Sequence, residues 1–184
     1  MSRKATITQE EIVNAAFKIT VKEGFDQITS RKLAGAAGCS TQPIFRIYDN
    51  MDELKRDVAA QAIAYFEDYC RGREQKHSTP FIDLGLCYIR FAQEHTNLFK
   101  LLFVSADIKD NKSMYDIVNG SDENIVREVS RAREAGVADA EQLFMKMWIF
   151  IHGAGCMAVT GDYDLDEDDS VAMLESAFEA FGKA

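Results

Sequence analysis

The sequence predicts an all-α protein in two parts, a small three-helix unit over residues 1–50 and a larger helical one over residues 51–184. Three observations carry this. Apolar side chains recur at three- and four-residue spacing through most of the chain, as one buried face of a helix requires. Hydrophobic residues make up 47 % of 184 with only two prolines, which is enough to bury a core and too few breakers for a disordered chain. Charge divides unevenly: residues 1–50 hold seven Lys/Arg against five Asp/Glu and the remainder fourteen against twenty-five, so a net charge of −9 is +2 in the first part and −11 in the second. The acidic total therefore does not exclude an anionic partner for the first part.

Met1 to Thr6, with Arg3 and Lys4, reads as a short basic arm. Thr8 caps the first helix, Glu10 and Glu11 sit in its first turn where the helix dipole favours them, and Gly24 ends it. Ile12, Ala16 and Ile19, widened by Val13 and Phe17, form its buried stripe. A second helix starts at Thr29 or Ser30 and runs through Leu33, Ala34 and Ala37 to Gly38, which can take the left-handed turn that Cys39 fills from beneath. Ser40 or Thr41 caps the third helix, and Pro43 lies in its first turn, where a missing N–H breaks no internal bond. Ile44 faces inward onto Leu33 and Ala37, leaving Thr41, Gln42 and Arg46 outward. Two short helices joined by a glycine turn spell a helix-turn-helix. Its second helix pushes its N-terminal end into a major groove, where Gln pairs with adenine and Arg with guanine while hydroxyls take phosphate.

The segment Gly24-Phe25, Thr29-Ser30-Arg31-Lys32-Leu33-Ala34, Ala37-Gly38, Ser40, Ile44-Phe45, Tyr48 and Leu54, preceded by an amphipathic helix, resembles the DNA-binding domain of the TetR family of transcriptional regulators. Residues and resemblance together nominate Thr29, Ser30, Arg31, Lys32, Ser40, Thr41, Gln42, Pro43, Phe45, Arg46 and Tyr48 as the DNA-binding set. The resemblance implies a homodimer on a palindromic double-stranded DNA operator, with repression as the sign of control. This chain departs from the family at Phe45, where a phosphate-contacting tyrosine is usual, at Ile47 in place of histidine or tyrosine, and at Met51 in place of lysine. Backbone affinity then falls to Arg31, Lys32, Arg46 and Lys55.

In the second part, Asn50 and Glu53 form a capping-box-like start for a long helix carrying Leu54, Val58, Ala62, Phe66 and Tyr69 to about Arg71. Gly72 to Thr79 reads as a polar loop with a solvated His77. Pro80 opens the next helix, with Phe81, Leu84, Tyr88 and Phe91, followed by a stripe of Leu98, Leu101, Leu102 and Phe103. After a loop at 105–112 come a short helix around Met114–Val118 and a charged one from Asp122 to Ala135. Ala138 to Thr160 is apolar around most of its circumference and needs more than one neighbour to cover it. The loop Gly161 to Asp168 has aspartates at alternate positions, but without glycine at the sixth and glutamate at the twelfth it reads as acids preceding a helix rather than a calcium site.

The run from Phe91 to Phe103, with Trp148, His152 and Gly153 later, resembles the C-terminal domain of a TetR subgroup marked by Trp-x-x-x-His-Gly. Phe66, Tyr88, Phe91, Phe103, Trp148 and His152 are accordingly the predicted pocket for a small apolar effector. A hydrogen-bonded core histidine is the preferred reading of His152 itself. The last two helices, through Met147, Ile151, Val159, Val171, Leu174, Phe178 and Phe181, are the predicted two-fold interface.

Cys39, Cys70, Cys87 and Cys156 form no CxxC pair or Cys/His ligand cluster, so reduced thiols, no metal and no cofactor are expected. No signal-peptide core or membrane-length apolar run is evident, so the expected location is cytoplasmic. No serine or cysteine stands at motif spacing from a histidine, and there is no phosphate loop, so an enzyme is not expected. A helical interaction module with a degenerate helix-turn-helix, or a helical enzyme with dispersed residues, are the alternatives to a DNA-binding regulator.

Overall fold

A computed structural model describes residues 7–73, 75–105 and 123–183. The basic arm and the helix expected around Met114–Val118 lie outside the described residues. Every regular element among those described is helical: α1 Gln9–Glu23, α2 Ser30–Ala36, α3 Thr41–Ile47, α4 Met51–Arg71, α5 Ile82–Glu94, α6 Thr96–Phe99, α7 Glu123–Glu134, α8 Ala140–Thr160 and α9 Glu167–Gly182, with a 3₁₀ turn at Phe25–Gln27 and a π-helical stretch at Lys100–Val104. They fall into two compact units, residues 7–65 with 97–105 and residues 66–96 with 123–183.

The first unit is built on its caps. Thr8 and Glu11 close a reciprocal capping box on α1, the Thr8 hydroxyl accepting from the Glu11 N–H at 3.2 Å and the Glu11 carboxylate from the Thr8 N–H at 2.8 Å. Thr29 caps α2 through the Lys32 N–H, and Gly38 makes the turn into α3 with φ +65°. Ile12, Ala16, Leu33, Ile44 and Leu54 are fully buried and form the three-helix core with the start of α4. Asn50 caps α4 through the Glu53 N–H at 2.9 Å, whereas the returning Glu53 carboxylate takes the N–H of Asp49 rather than that of Asn50.

The second unit centres on α5, which packs against α8 and α9. Gly85 permits the close approach: a Cβ there would lie 3.1 Å from Ile151 Cδ1 and from both Leu174 methyls. The polar loop after α4 is held more firmly than its composition suggests. Glu128 on α7 is buried, and its carboxylate accepts from Gln75 Nε2 at 2.6 Å and from the backbone N–H of Phe81 at 2.7 Å. Arg131 neutralises it and also donates to the carbonyls of His77 and Ser78. Pro80 and Phe81 therefore stand before α5 rather than in it, with Phe81 left-handed at φ +67° and fully buried. His77 is not solvated: its Nδ1 lies 2.7 Å from Asp83 Oδ1. Burial raises the pKa of Asp83, but the His77 ring and the N–H groups of His77 and Lys76 outweigh it and hold the carboxyl below its ordinary range.

Two expectations need correction. Cys70 and Cys87 are joined in a disulfide, with Cα atoms 5.9 Å apart, while Cys39 and Cys156 are free. The two cysteines lie 17 positions apart with no spacing motif, so only the packing of α4 on α5 reveals the bridge. A membrane-length apolar run also exists: α8, at 21 residues, is long and apolar enough by length and composition to cross a bilayer. Here it is the central packing helix of the second unit, one side on α5 and α9.

Candidate nucleic-acid interface

The helix-turn-helix separates its side chains by burial. Ile44 and Tyr48, one turn apart on α3 and just beyond it, turn inward, whereas Gln42, Phe45 and Arg46 are exposed, Phe45 by 51 %. Thr41 and Pro43 are half-buried at the helix start, and Ser40 is exposed without a side-chain capping bond, leaving its hydroxyl available. Across the turn, Thr29 and Arg31 are exposed and Ser30 half-buried. Lys32 is held by Glu23 at 2.5 Å, and that hydrogen bond lowers the pKa of the Glu23 carboxyl. Lys55 places its ammonium over the Phe25 ring, 5.4 Å from the centroid. Both lysines must leave or share these partners to meet a phosphate.

Tyr48 is a correction. It is 3 % exposed and its hydroxyl donates to Asp57 Oδ2 at 2.7 Å, so burial first and the carboxylate second raise its pKa. Gln9 on α1 donates to the same oxygen at 2.9 Å, so Asp57 on α4 ties the start of α1 to the end of α3. Tyr48 is thus a positioning residue of the scaffold. The four-residue step from Ile44 was the signal that it faces inward.

In the second unit, Phe66, Phe91, Tyr88, Trp148 and His152 form one ring-on-ring cluster. Phe66 meets Phe91 edge-on at 4.8 Å and Tyr88 at 6.2 Å, Tyr88 meets Trp148 at 4.9 Å, and Trp148 stacks along His152 at 6.2 Å. Phe103 belongs to the first unit, buried against Phe99. His152 Nδ1 lies 2.8 Å from the Tyr88 hydroxyl and its Nε2 3.6 Å from Cys156 Sγ, so both ring nitrogens have partners.

Burial lowers the His152 pKa. The unfolded chain therefore takes up a proton near pH 6.5 that the folded chain refuses, and stability falls as pH drops below about 6.5. Urea midpoints at pH 7.5 and 5.5 should show a smaller decrement for His152→Gln than for the wild type. Equal decrements would remove His152 as a source.

The predicted interface set divides. Met147, Ile151 and Leu174 are at most 1 % exposed and belong to the core of the unit, which corrects their assignment to the two-fold interface. Val159, Val171, Phe178 and Phe181 are half-buried, with Phe178 resting on Phe81 and Phe181 on Phe150. The uncovered apolar stripe runs instead through Met145, Ile149 and Met157 on α8 and Met173 on α9, with Ile149 69 % exposed. A cleft of about 570 Å³ opens along it, between Ile149, Gly153, Met157, Tyr163 and Met173.

This architecture is a known one. The structure is similar to that of a Vibrio parahaemolyticus protein assigned to the TetR family of transcriptional regulators, with TM-score 0.68, 18 % identity, and 93 % of this chain and 96 % of that one covered. It is similar also to a TetR-family transcriptional regulator of Haemophilus influenzae, with TM-score 0.61, 21 % identity and coverage of 94 % and 98 %. MexZ, a repressor responsible for antibiotic resistance in Pseudomonas aeruginosa, superposes with TM-score 0.61 at 17 % identity, covering 94 % of each chain. At these identities the likeness establishes the fold. No curated protein sequence matches the chain. Residues 81–181, more than half of the chain, match the family model described as tetracyclin repressor-like, C-terminal domain. The chain belongs to the TetR, tetracyclin repressor-like, family.

Proposed function

We propose that the protein is a cytoplasmic homodimeric repressor that reads a palindromic operator through α3 and is released by a small apolar effector. In this reading residues 1–50 are the DNA-binding domain and residues 51–184 the effector-binding and dimerisation domain. The observation that carries it is the partition of α3: Gln42, Phe45 and Arg46 outward, Ile44 and Tyr48 inward. An outward phenylalanine on a helix also bearing Gln and Arg suits a major groove, where it meets a thymine methyl while its neighbours read base edges. Thr29, Ser30, Arg31, Lys32, Ser40 and Thr41 then contact the sugar-phosphate backbone, with Pro43 fixing the helix start.

Titration of labelled fragments from the protein's own upstream region, at several salt concentrations, tests this. Gln42→Ala should cost about 1–3 kcal/mol at one operator position and relax preference there, whereas Lys32→Ala should weaken all sequences and flatten the salt slope. Uniform weakening by Gln42→Ala would refute its base-reading role, and the absence of salt-dependent binding would favour a helical interaction module that has lost DNA binding.

The effector site is assigned to the cluster of Phe66, Tyr88, Phe91, Trp148 and His152, where an apolar compound would displace ring-on-ring contacts. Helix α4 contributes residues to both units, so a shift of its last turns is transmitted along the helix itself. A hundredfold loss of operator affinity requires a coupling of about 2.7 kcal/mol, and DNA must weaken the effector equally. Trp148 is the only tryptophan and reports a ligand beside it. Apolar compounds that quench it should release operator; quenching with unchanged DNA affinity would break the link between the two.

A further inference from the structure

A cleft of about 890 Å³ opens in the first unit between α1 and the turn into α3. Lys18 and Lys22 line it from α1, and Pro43, Arg46 and Ile47 from α3. We propose that this cleft takes one sugar-phosphate strand of the operator, with Lys18 and Lys22 as its phosphate contacts. The proposal rests on the operator-reading role given above to α3.

The position of the cleft is the first argument. At about 100° per residue, Pro43 lies about 100° and Ile47 about 140° round α3 from the outward Gln42, on one flank, whereas Ile44 and Tyr48 face the core. A helix with its side chains is about 10–12 Å across and the major groove about 12 Å wide, so a helix seated there has a phosphate strand against each flank. The strand on the Pro43 flank meets the cleft, and the far wall it then faces is α1. Lys18 and Lys22 share one face of α1, about 6 Å apart along its axis, so both can reach that strand. They supply backbone affinity on a flank where Ile47 has no donor to offer.

Charge is the second argument. Lys18, Lys22 and Arg46 are exposed, and none forms an ion pair or side-chain hydrogen bond with a described residue. Lys22 acts on the adjacent Glu23 through space, but that carboxylate is already held by Lys32 at 2.5 Å. The other carboxylate of the cleft, Glu11, is taken up in the capping box with Thr8, two turns or about 10 Å along α1 from Lys18. The surface between the helices is apolar, through Ala15, Ile19 and Ala37, so the three cations set the sign of the cleft.

Phosphate contacts are tested on two duplexes of unlike base composition, with dissociation constants measured over a range of salt. Lys18→Gln/Lys22→Gln should lower the slope of log K against log salt by about 0.9 per lysine in each engaged reading head. Both duplexes should weaken by the same factor, roughly tenfold or more at about 0.1 M salt. Lys18→Arg/Lys22→Arg should keep the wild-type slope. Lys76→Gln/Lys183→Gln, an equal loss of charge on exposed lysines of the second unit, should leave it nearly unchanged. An unchanged slope in the cleft's glutamine pair while Arg46→Gln lowers it would overturn the proposal and leave α3 as the reading helix. No change from either, or no binding by the wild type, would overturn both. An equal fall in the second-unit control would also overturn the proposal, since net charge alone would then account for the effect.

Discussion

In the homodimer proposed above, Ile149→Glu should yield monomers and abolish binding to a full operator while leaving the fold intact. Ile149 is 69 % exposed, yet its neighbours two residues away on α8, Met147 and Ile151, are at most 1 % exposed. One side of this apolar helix therefore already has its partners, and the other, through Met145, Ile149 and Met157 with Met173 of α9, has none in the described chain. Burying each such side chain against a second copy contributes about 1.5–3 kcal/mol, and a standard interface covers about 800 Å² per partner. In a two-fold dimer every substitution occurs twice, so two introduced carboxylates would have to be desolvated. Losing the second reading head then removes avidity of about 10² to 10⁴. Sedimentation should show a monomer at micromolar concentration with wild-type circular dichroism; a variant that remains dimeric would move the interface elsewhere. Phe178 is a poorer place for the charge, because it rests on Phe81 and its loss would disturb the core.

The face of α8 is where sequence reasoning failed, and the reason is physical. Met, Ile and Val occupy both sides of the helix, so periodicity identifies an apolar cylinder without saying which side the chain itself covers. Packing against α5 and α9 makes that choice, through contacts distant in sequence. The reading unit was legible because its signals are local: hydroxyl caps at Thr8 and Thr29, glycines at 24 and 38, and an inward Ile44 each act within a few residues. Tyr48 follows Ile44 by one helical turn, so its spacing turns it inward although the family resemblance puts it on DNA. The disulfide and the buried Glu128 carry no local mark at all. A glutamate three residues before an arginine on a charged helix ordinarily lies on a solvated face, and only the return of the loop after α4 buries this one.

That burial makes Glu128 the side chain whose loss should cost most in the second unit. Its side chain is 2 % exposed, and its oxygens receive Gln75 Nε2, the Phe81 N–H and two bonds from Arg131 at 2.9 and 2.8 Å. Glu128→Ala strands the Arg131 guanidinium, leaves the buried Phe81 N–H without its acceptor, and removes what holds Phe81 left-handed. Breaking one side of a buried pair costs about 3–5 kcal/mol, and a non-glycine residue in the left-handed region about 1–2 kcal/mol that the Glu128 bond offsets. Against a total stability of about 5–15 kcal/mol, such a loss is a large fraction. Arg131→Ala should cost a similar amount by leaving the carboxylate uncompensated and freeing the carbonyls of His77 and Ser78. Glu128→Gln keeps an acceptor for the Phe81 N–H and should fall between the wild type and Glu128→Ala. The pair Glu128→Leu/Arg131→Met removes both charges together and should cost far less than the sum of the single losses, as expected for side chains acting as one unit. Urea denaturation of the four variants reads this directly. A cost below about 1 kcal/mol for Glu128→Ala, or simple additivity in the pair, would show that the buried ion pair does not hold this loop.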